Sequence, residues 1–144
     1  MIAFRRVFLD TAPIIYYLER NEEFYPIIKN FFLRYSNAHY FTSAVTVAEY
    51  LTFPYRKGDN GAVDRFYKFL DEMYIDLLVI DKETANKAAK IRGQFYAFKT
   101  MDSIQLASAC LAQCDLFLTN DRQLLQFQEI QCMTLDSFRI ENRR

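Results

Sequence analysis

The sequence predicts one α/β domain over residues 1–144, with a central parallel sheet of four to five strands covered by helices on both faces. Three observations predict it. Short apolar runs near residues 7–9, 38–43, 75–80, 115–119 and 130–135 read as buried strands. Helical stretches, mostly of ten or more residues, separate them, and that alternation builds βαβ units. Only three Gly and three Pro leave little material for long loops, so the elements must be joined tightly.

Along the chain, Val7 to Leu9 form the first strand and end at Asp10. Asp10 or Thr11 caps a helix reaching about Asn21, with Pro13 in its first turn, where a missing N–H costs little. Ile27, Ile28, Phe31 and Phe32 recur at helical spacing and predict a helix over about 24–35. "AHYFTS" is the second strand, and Thr42 or Ser43 caps the helix carrying "AVTVAEYLTF". "RKGDNG" breaks it from a helix over about 62–74, after which "IDLLVI" is the third strand. Asp81 caps "KETANKAAKIRGQF", with Ala85, Ala88, Ala89 and Phe95 as the packing face. Thr100 caps "MDSIQLASACLAQ", which is apolar on most sides and therefore central. "DLFLT" is the fourth strand; a short helix with Leu124, Leu125 and Phe127 leads to a last strand near "IQCMTL", and "IENRR" is expected to be loose.

Composition narrows the function classes. Apolar residues make up 51% and charged ones 25%, as in ordinary globular domains. Eighteen basic and eighteen acidic side chains cancel, so net charge does not announce a nucleic-acid partner, although an acidic site would itself mask basic residues elsewhere. Cys110, Cys114 and Cys132 are odd in number and widely spaced, which fits buried free thiols in a reducing compartment better than disulfides or zinc. "MIAFRRVFLD" reaches Asp10 before an apolar run attains signal-peptide length, and no run approaches a membrane span. The expected location is the cytoplasm.

In open α/β sheets the ligand crevice lies beyond the carboxyl ends of the strands. Asp10 ends the first strand, Asp121 follows the fourth, Glu49 lies about two turns into the helix after the second, and Asp102 stands in the first turn of the helix before the fourth. Each has a plain structural explanation alone. Asp10 and Asp121 fit cap or turn positions, Glu49 a solvated helix face, and Asp102 the helix macrodipole. Together they imply a cluster, and two carboxylates about 5 Å apart repel by roughly 3 kcal/mol at an effective dielectric near 20. A hard, oxygen-seeking cation relieves that repulsion; magnesium fits best and manganese is close. Such a cation lowers the pKa of a water and neutralises a phosphate. The single histidine, His39, sits beside an apolar stretch and gives His-based chemistry few parts to use.

These residues resemble the PIN-domain nucleases, in particular VapC-type toxins of type II toxin–antitoxin pairs. The resemblance rests on "FLDTAPIIYYLE", "TSAVTVAEYL" and "TMDSIQLASACLAQCDLFLTNDRQLL", in that order along nearly the whole chain. It implies a three-layer α/β/α fold and a metal-dependent endoribonuclease that cuts single-stranded segments of folded RNA. It also implies that Asp10, Glu49, Asp102 and Asp121 bind one or two Mg2+ or Mn2+ ions and activate the attacking water, with the 3′ oxygen leaving and a 5′ phosphate remaining. Thr119 and Asn120 match polar residues that support such sites or touch substrate, and Arg122 joins them as a substrate-binding candidate. Homodimerisation and silencing by a small antitoxin protein are the implied assemblies. Met101 departs from the family, where many relatives have Pro before the third acid.

Lys87, Arg92, Lys99 and Arg122 are candidate phosphate contacts, with a solvated helix face the simpler reading of each, and Tyr16, Tyr17 and Tyr50 are candidate base-stacking rings, with core packing the simpler reading for most. The rival function is a PIN-like module that grips RNA or a protein without cutting. A haloacid-dehalogenase-type phosphatase also starts with a strand ending in Asp but needs a second Asp two residues on, where this chain has Ala12.

Overall fold

The computed structural model describes residues 3–142. Strands β1 (Arg6–Leu9), β2 (His39–Ser43), β3 (Asp76–Leu78), β4 (Leu116–Thr119) and β5 (Gln131–Thr134) pair in parallel, in the order β3-β2-β1-β4-β5. Val7 pairs with Tyr40 on one side and Leu116 on the other, so β1 is the central strand. The chain fills one half of the sheet with β2 and β3, then crosses to fill the other with β4 and β5. The strand order therefore reverses at β1, and a crevice opens beyond its carboxyl end.

Helices α1 (Thr11–Leu18), α2 (Tyr25–Arg34), α3 (Ala44–Lys57), α4 (Asn60–Glu72), α5 (Lys82–Gln94), α6 (Thr100–Leu111) and α7 (Leu135–Asn142) complete the fold. Alternation within β1 divides the core. Val7 and Leu9 face a cluster with Ile14, Ile28, Phe31, Tyr50, Phe66 and Phe138, from α1, α2, α3, α4 and α7. Phe8 faces the other side, where it stacks on Phe117 with ring centroids 5.2 Å apart, beside Ile91, Leu106 and Ala107 from α5 and α6. Five helices thus cover one face of the sheet and two the other, giving the three-layer α/β/α arrangement.

Several details differ from the sequence expectation. Helix α3 runs past Phe53 through Pro54 to Lys57, because Pro54 is buried there and Gly58 ends the helix with φ 66°, returning its N–H to Pro54 and Tyr55. The apolar run at 75–80 yields only three strand residues, on a sheet edge, with Val79 76% exposed. Keeping an edge strand short limits pairing with other chains. The buried face of α5 is Thr84, Ala88 and Ile91; Ala85 and Ala89 point outward, since a seven-residue spacing from Thr84 to Ile91 follows the helix period and the alanines beside it do not. Lys99, not Thr100, occupies the cap position of α6, with no side-chain cap bond; Thr100 is already helical. The short segment after β4 is a 3-10 turn, Arg122–Gln126. Of the "IENRR" tail, 140–142 belong to α7, while 143 and 144 lie outside the described residues.

The assignment of the α5 face is testable. Ala88→Leu should cost about 1–3 kcal/mol through overpacking, whereas Ala85→Leu should stay within about 0.5 kcal/mol. Urea denaturation of both variants measures the contrast, and equal losses would contradict the assigned face.

Candidate active site

The crevice beyond β1 is an open cleft of about 600 Å³ lined by Asp10, Thr11, Ala12, Ile15, Tyr16, Glu49, Asp102, Asn120 and Asp121. All four acids singled out from the sequence therefore border one space, although they come from four separate stretches of chain.

Their settings differ. Asp10 is buried, with only 8% of its surface exposed, because it directly follows the central strand. Its backbone N–H continues the sheet by donating to Leu118 at 3.0 Å. Oδ1 accepts from the Thr11 N–H at 2.9 Å, capping α1, and Oδ2 accepts from the Thr119 hydroxyl at 2.8 Å. Asp121 is exposed and caps the 3-10 turn by accepting from the Gln123 N–H at 3.0 Å. Glu49 is exposed on α3 and takes the Thr11 hydroxyl at 2.6 Å on Oε1. Asp102 is half-buried and, among the described residues, accepts no hydrogen bond. Asp10 and Asp121 are thus caps that also border the cleft.

Burial raises the Asp10 carboxyl to about 6, against the hydrogen bonds from Thr119 and Thr11, and the Asp102 and Glu49 charges push it the same way as burial does. Asp102 is also raised, first by burial and then by Asp121 and Glu49, with Lys99 opposing. The acids therefore sense one another across the cleft. Among the described residues, however, no three carboxylate, imidazole or thiolate groups are already drawn around a common point. The donor set is all oxygen and the cleft is open, which suits magnesium or manganese, ions that keep several waters and take only a few carboxylates. Asp10, Asp102, Asp121 and Glu49 are the carboxylates bordering the cleft that such an ion would have to draw together.

Other candidates separate clearly. Thr119 is fully buried; its hydroxyl donates to Asp10 and accepts from the Asp121 N–H at 3.1 Å, so it braces two acids and offers no surface to a substrate. Asn120 lines the cleft and donates to the Tyr16 hydroxyl at 3.1 Å, while Arg122 is exposed beside Asp121. Tyr16 borders the cleft with its ring stacked on Phe24. Tyr17 packs on Phe32 and Phe69, Tyr50 is buried against Phe66, and neither lines the cleft. Lys87 is held by Glu129 at 2.6 Å, on the side of α6 near Cys110, and does not line the cleft. Arg92 points its Nε at the Phe98 carbonyl, 3.4 Å away. His39 pairs with Asp76 at 2.9 Å at the amino end of β2, the wrong end of the sheet for this cleft. A second groove, of about 610 Å³ and lined by Phe32, Leu33, Tyr40, Met73 and Tyr74, opens at that same end and carries no acid cluster.

Sequence reasoning missed the floor of the cleft. Thr11, Thr42, Ser43, Thr46 and Gln105 are all buried and joined by hydrogen bonds, including Gln105 Nε2 to Thr46 at 2.8 Å and Thr42 to the Leu9 carbonyl at 2.8 Å. Among the described residues no buried side-chain polar atom lacks a partner. The available signal was Ser103, Gln105 and Ser108 interrupting a largely apolar helix, together with the threonines and serine clustered at the end of β2 and the start of α3.

The PIN domain family model matches residues 7–130. No curated protein matches the sequence. Among solved structures, the fold is similar to the DNA-bound VapBC of Salmonella typhimurium, with TM-score 0.75, 16% identity, and coverage of 91% of this chain and 98% of that one. It is similar to VapBC2 of Rickettsia felis bound to a promoter DNA fragment (TM-score 0.73, 13% identity, 90% and 98% covered). It is also similar to VapC20 of Mycobacterium tuberculosis, described as a toxin that cleaves the sarcin-ricin loop (TM-score 0.66, 12% identity, 86% and 98% covered).

Asp10 makes the metal-free fold sensitive to pH. A carboxyl whose folded pKa lies above its unfolded value stabilises the protein fully at low pH, and that contribution disappears as pH rises through about 6. Between about pH 4 and 7 the metal-free protein should lose on the order of 3 kcal/mol on this account. Asp10→Asn should flatten the slope in urea denaturation run with a chelator; an unaltered slope would mean that Asp10 does not ionise late.

Proposed function

The chain belongs to the PIN domain family, and from that premise we propose that it is a divalent-metal-dependent endoribonuclease, the toxin of a toxin–antitoxin pair. The observation carrying the proposal is the meeting of Asp10, Glu49, Asp102 and Asp121 at one open cleft, at the carboxyl ends of parallel strands. The reading of a binding module without hydrolysis does not need four acids there.

Asp10, Asp102 and Asp121 would hold Mg2+ or Mn2+, with Glu49 completing the site or orienting the attacking water. When bound, the ion supplies positive charge against the phosphate and a more acidic water. The chain's own residues do the rest. Thr119 fixes both ends of the acid array through Asp10 and Asp121. Glu49 Oε1 is occupied by Thr11, which leaves Oε2 to take a proton from water as it attacks phosphorus in line with the departing 3′ oxygen. The products are a 3′ hydroxyl and a 5′ phosphate. Lys99, beside Asp102, and Arg122, beside Asp121, are the proposed phosphate contacts, and Asn120 the proposed polar contact to substrate.

An antitoxin protein as partner is supported by neighbours that are VapBC complexes; a homodimer and a cytoplasmic location complete the proposal. Among the described residues no helix is long and apolar enough to cross a membrane.

Asp10→Asn or Asp102→Asn should lower RNA cleavage by about a thousandfold, equivalent to about 4 kcal/mol of barrier, with the fold retained by circular dichroism. Cleavage surviving in a contaminant-free preparation of either variant would remove the mechanism and leave the binding-module reading standing. Millimolar magnesium or manganese should raise the melting temperature of the wild type by a few degrees, because it binds only the folded state. Lys99→Ala should raise KM for RNA severalfold while Lys87→Ala leaves it unchanged, a contrast read from steady-state kinetics.

A further inference from the structure

We infer that Gln105 and Thr46 are positioning residues, forming with Ser43 and Thr11 a one-way chain of hydrogen bonds that holds Glu49 toward the cleft. The inference rests on the nuclease reading above.

Counting protons fixes the direction of the chain. Glu49, when ionised, only accepts, so the single hydroxyl proton of Thr11 goes to Oε1, 2.6 Å away. Thr46 accepts from the Thr42 hydroxyl at 2.8 Å, which shares its proton with the Leu9 carbonyl, so the Thr46 proton is left for Thr11, 3.1 Å away, whose own proton is committed. The Thr46 oxygen in turn accepts from Gln105 Nε2 at 2.8 Å. Gln105 Oε1 accepts from the Ser43 hydroxyl, whose oxygen caps α3 by accepting from the Val45 N–H at 3.1 Å. Ser43, Gln105, Thr46 and Thr11 therefore donate head to tail, and the last donor meets the carboxylate.

The amide is the member that permits this polarity. Its two ends differ, one accepting and one donating, so it passes the direction on from Ser43 to Thr46. Its orientation is set on both sides, since Nε2 also faces Thr11 Oγ1 at 3.4 Å and Asp10 Oδ1 at 3.5 Å, acceptors that exclude the flipped amide. All four relay members are buried, Gln105 with only 1% exposed, so water does not compete with the chain. Aligned hydrogen bonds in a dry environment polarise one another toward the negative end. The relay joins the end of β2, α6, α3 and the start of α1, and thereby ties the exposed acid on α3 to the buried interior.

Removal of an outer partner of a ligating group costs about 10- to 100-fold in metal affinity or activity. Thr46→Val, which keeps the shape and deletes the hydroxyl, should weaken Mn2+ binding about tenfold in titration calorimetry and lower kcat with KM for RNA unchanged. Thr46→Ser, which restores the hydroxyl, should return both towards wild type. Gln105→Met provides a second cut of the same chain should Thr46→Val prove too unstable, and its Mn2+ affinity should fall likewise. Wild-type affinity in the Val or Met variant, or an equal loss in the Ser variant, would overturn the relay while wild-type binding and cleavage leave the nuclease reading intact. A wild-type protein that binds no Mn2+ and cuts no RNA would overturn both.

Discussion

Everything about the cleft depends on one carboxylate placed where the fold can least easily ionise it. Asp10 follows the central strand, under the packed sheet edge, and burial lifts its carboxyl to about 6. A charge in that position is costly unless hydrogen bonds or a cation meet it. The fold supplies the first kind of support from three directions: the Thr11 N–H at the helix start, the Thr119 hydroxyl from the neighbouring strand, and the more distant Gln105 amide from α6. The remaining acids border the same cleft and push the Asp10 carboxyl further up through their charges.

Topology supplies the positions. A parallel sheet sends every strand's carboxyl end to the same edge, and the reversal of order at β1 separates α1 from the elements that follow β4. Asp10 and Asp121 reach the cleft as caps of the elements that leave that edge, α1 and the 3-10 turn. The caps are also acids that border the cleft. Each cap uses one carboxylate oxygen at a helix start, and the second oxygen of Asp10 is held by Thr119.

What the sequence made legible follows from which signals are local. Strand runs, the Asp10, Ser43 and Asp81 caps and the order of the four acids were readable because each depends on a few adjacent residues. The alanine face of α5 was misjudged because apolar small residues recur there at more than one helical phase, and only contact with Ile91 and α6 chooses Ala88. Helix α7 was missed because its short polar sequence shows no strong period, yet Phe138 is buried against Phe31. The pairing of Lys87 was missed for a related reason. Its salt bridge partner, Glu129, lies 42 positions away and has no local signature.

The buried polar floor was the hardest part to foresee, and it bears on how such a site is maintained. A single polar residue in an apolar helix reads as an irregularity, because its justification lies in partners on other elements. Gln105 becomes intelligible only when Ser43, Thr46, Thr11 and Asp10 surround it. Each of these groups would be an unsatisfied burden alone, costing roughly 1–3 kcal/mol. Since they satisfy one another, replacing one leaves its neighbours without partners, and the four elements that carry them are coupled to the same acids. The floor is therefore what makes the cleft a property of the whole fold rather than of four side chains.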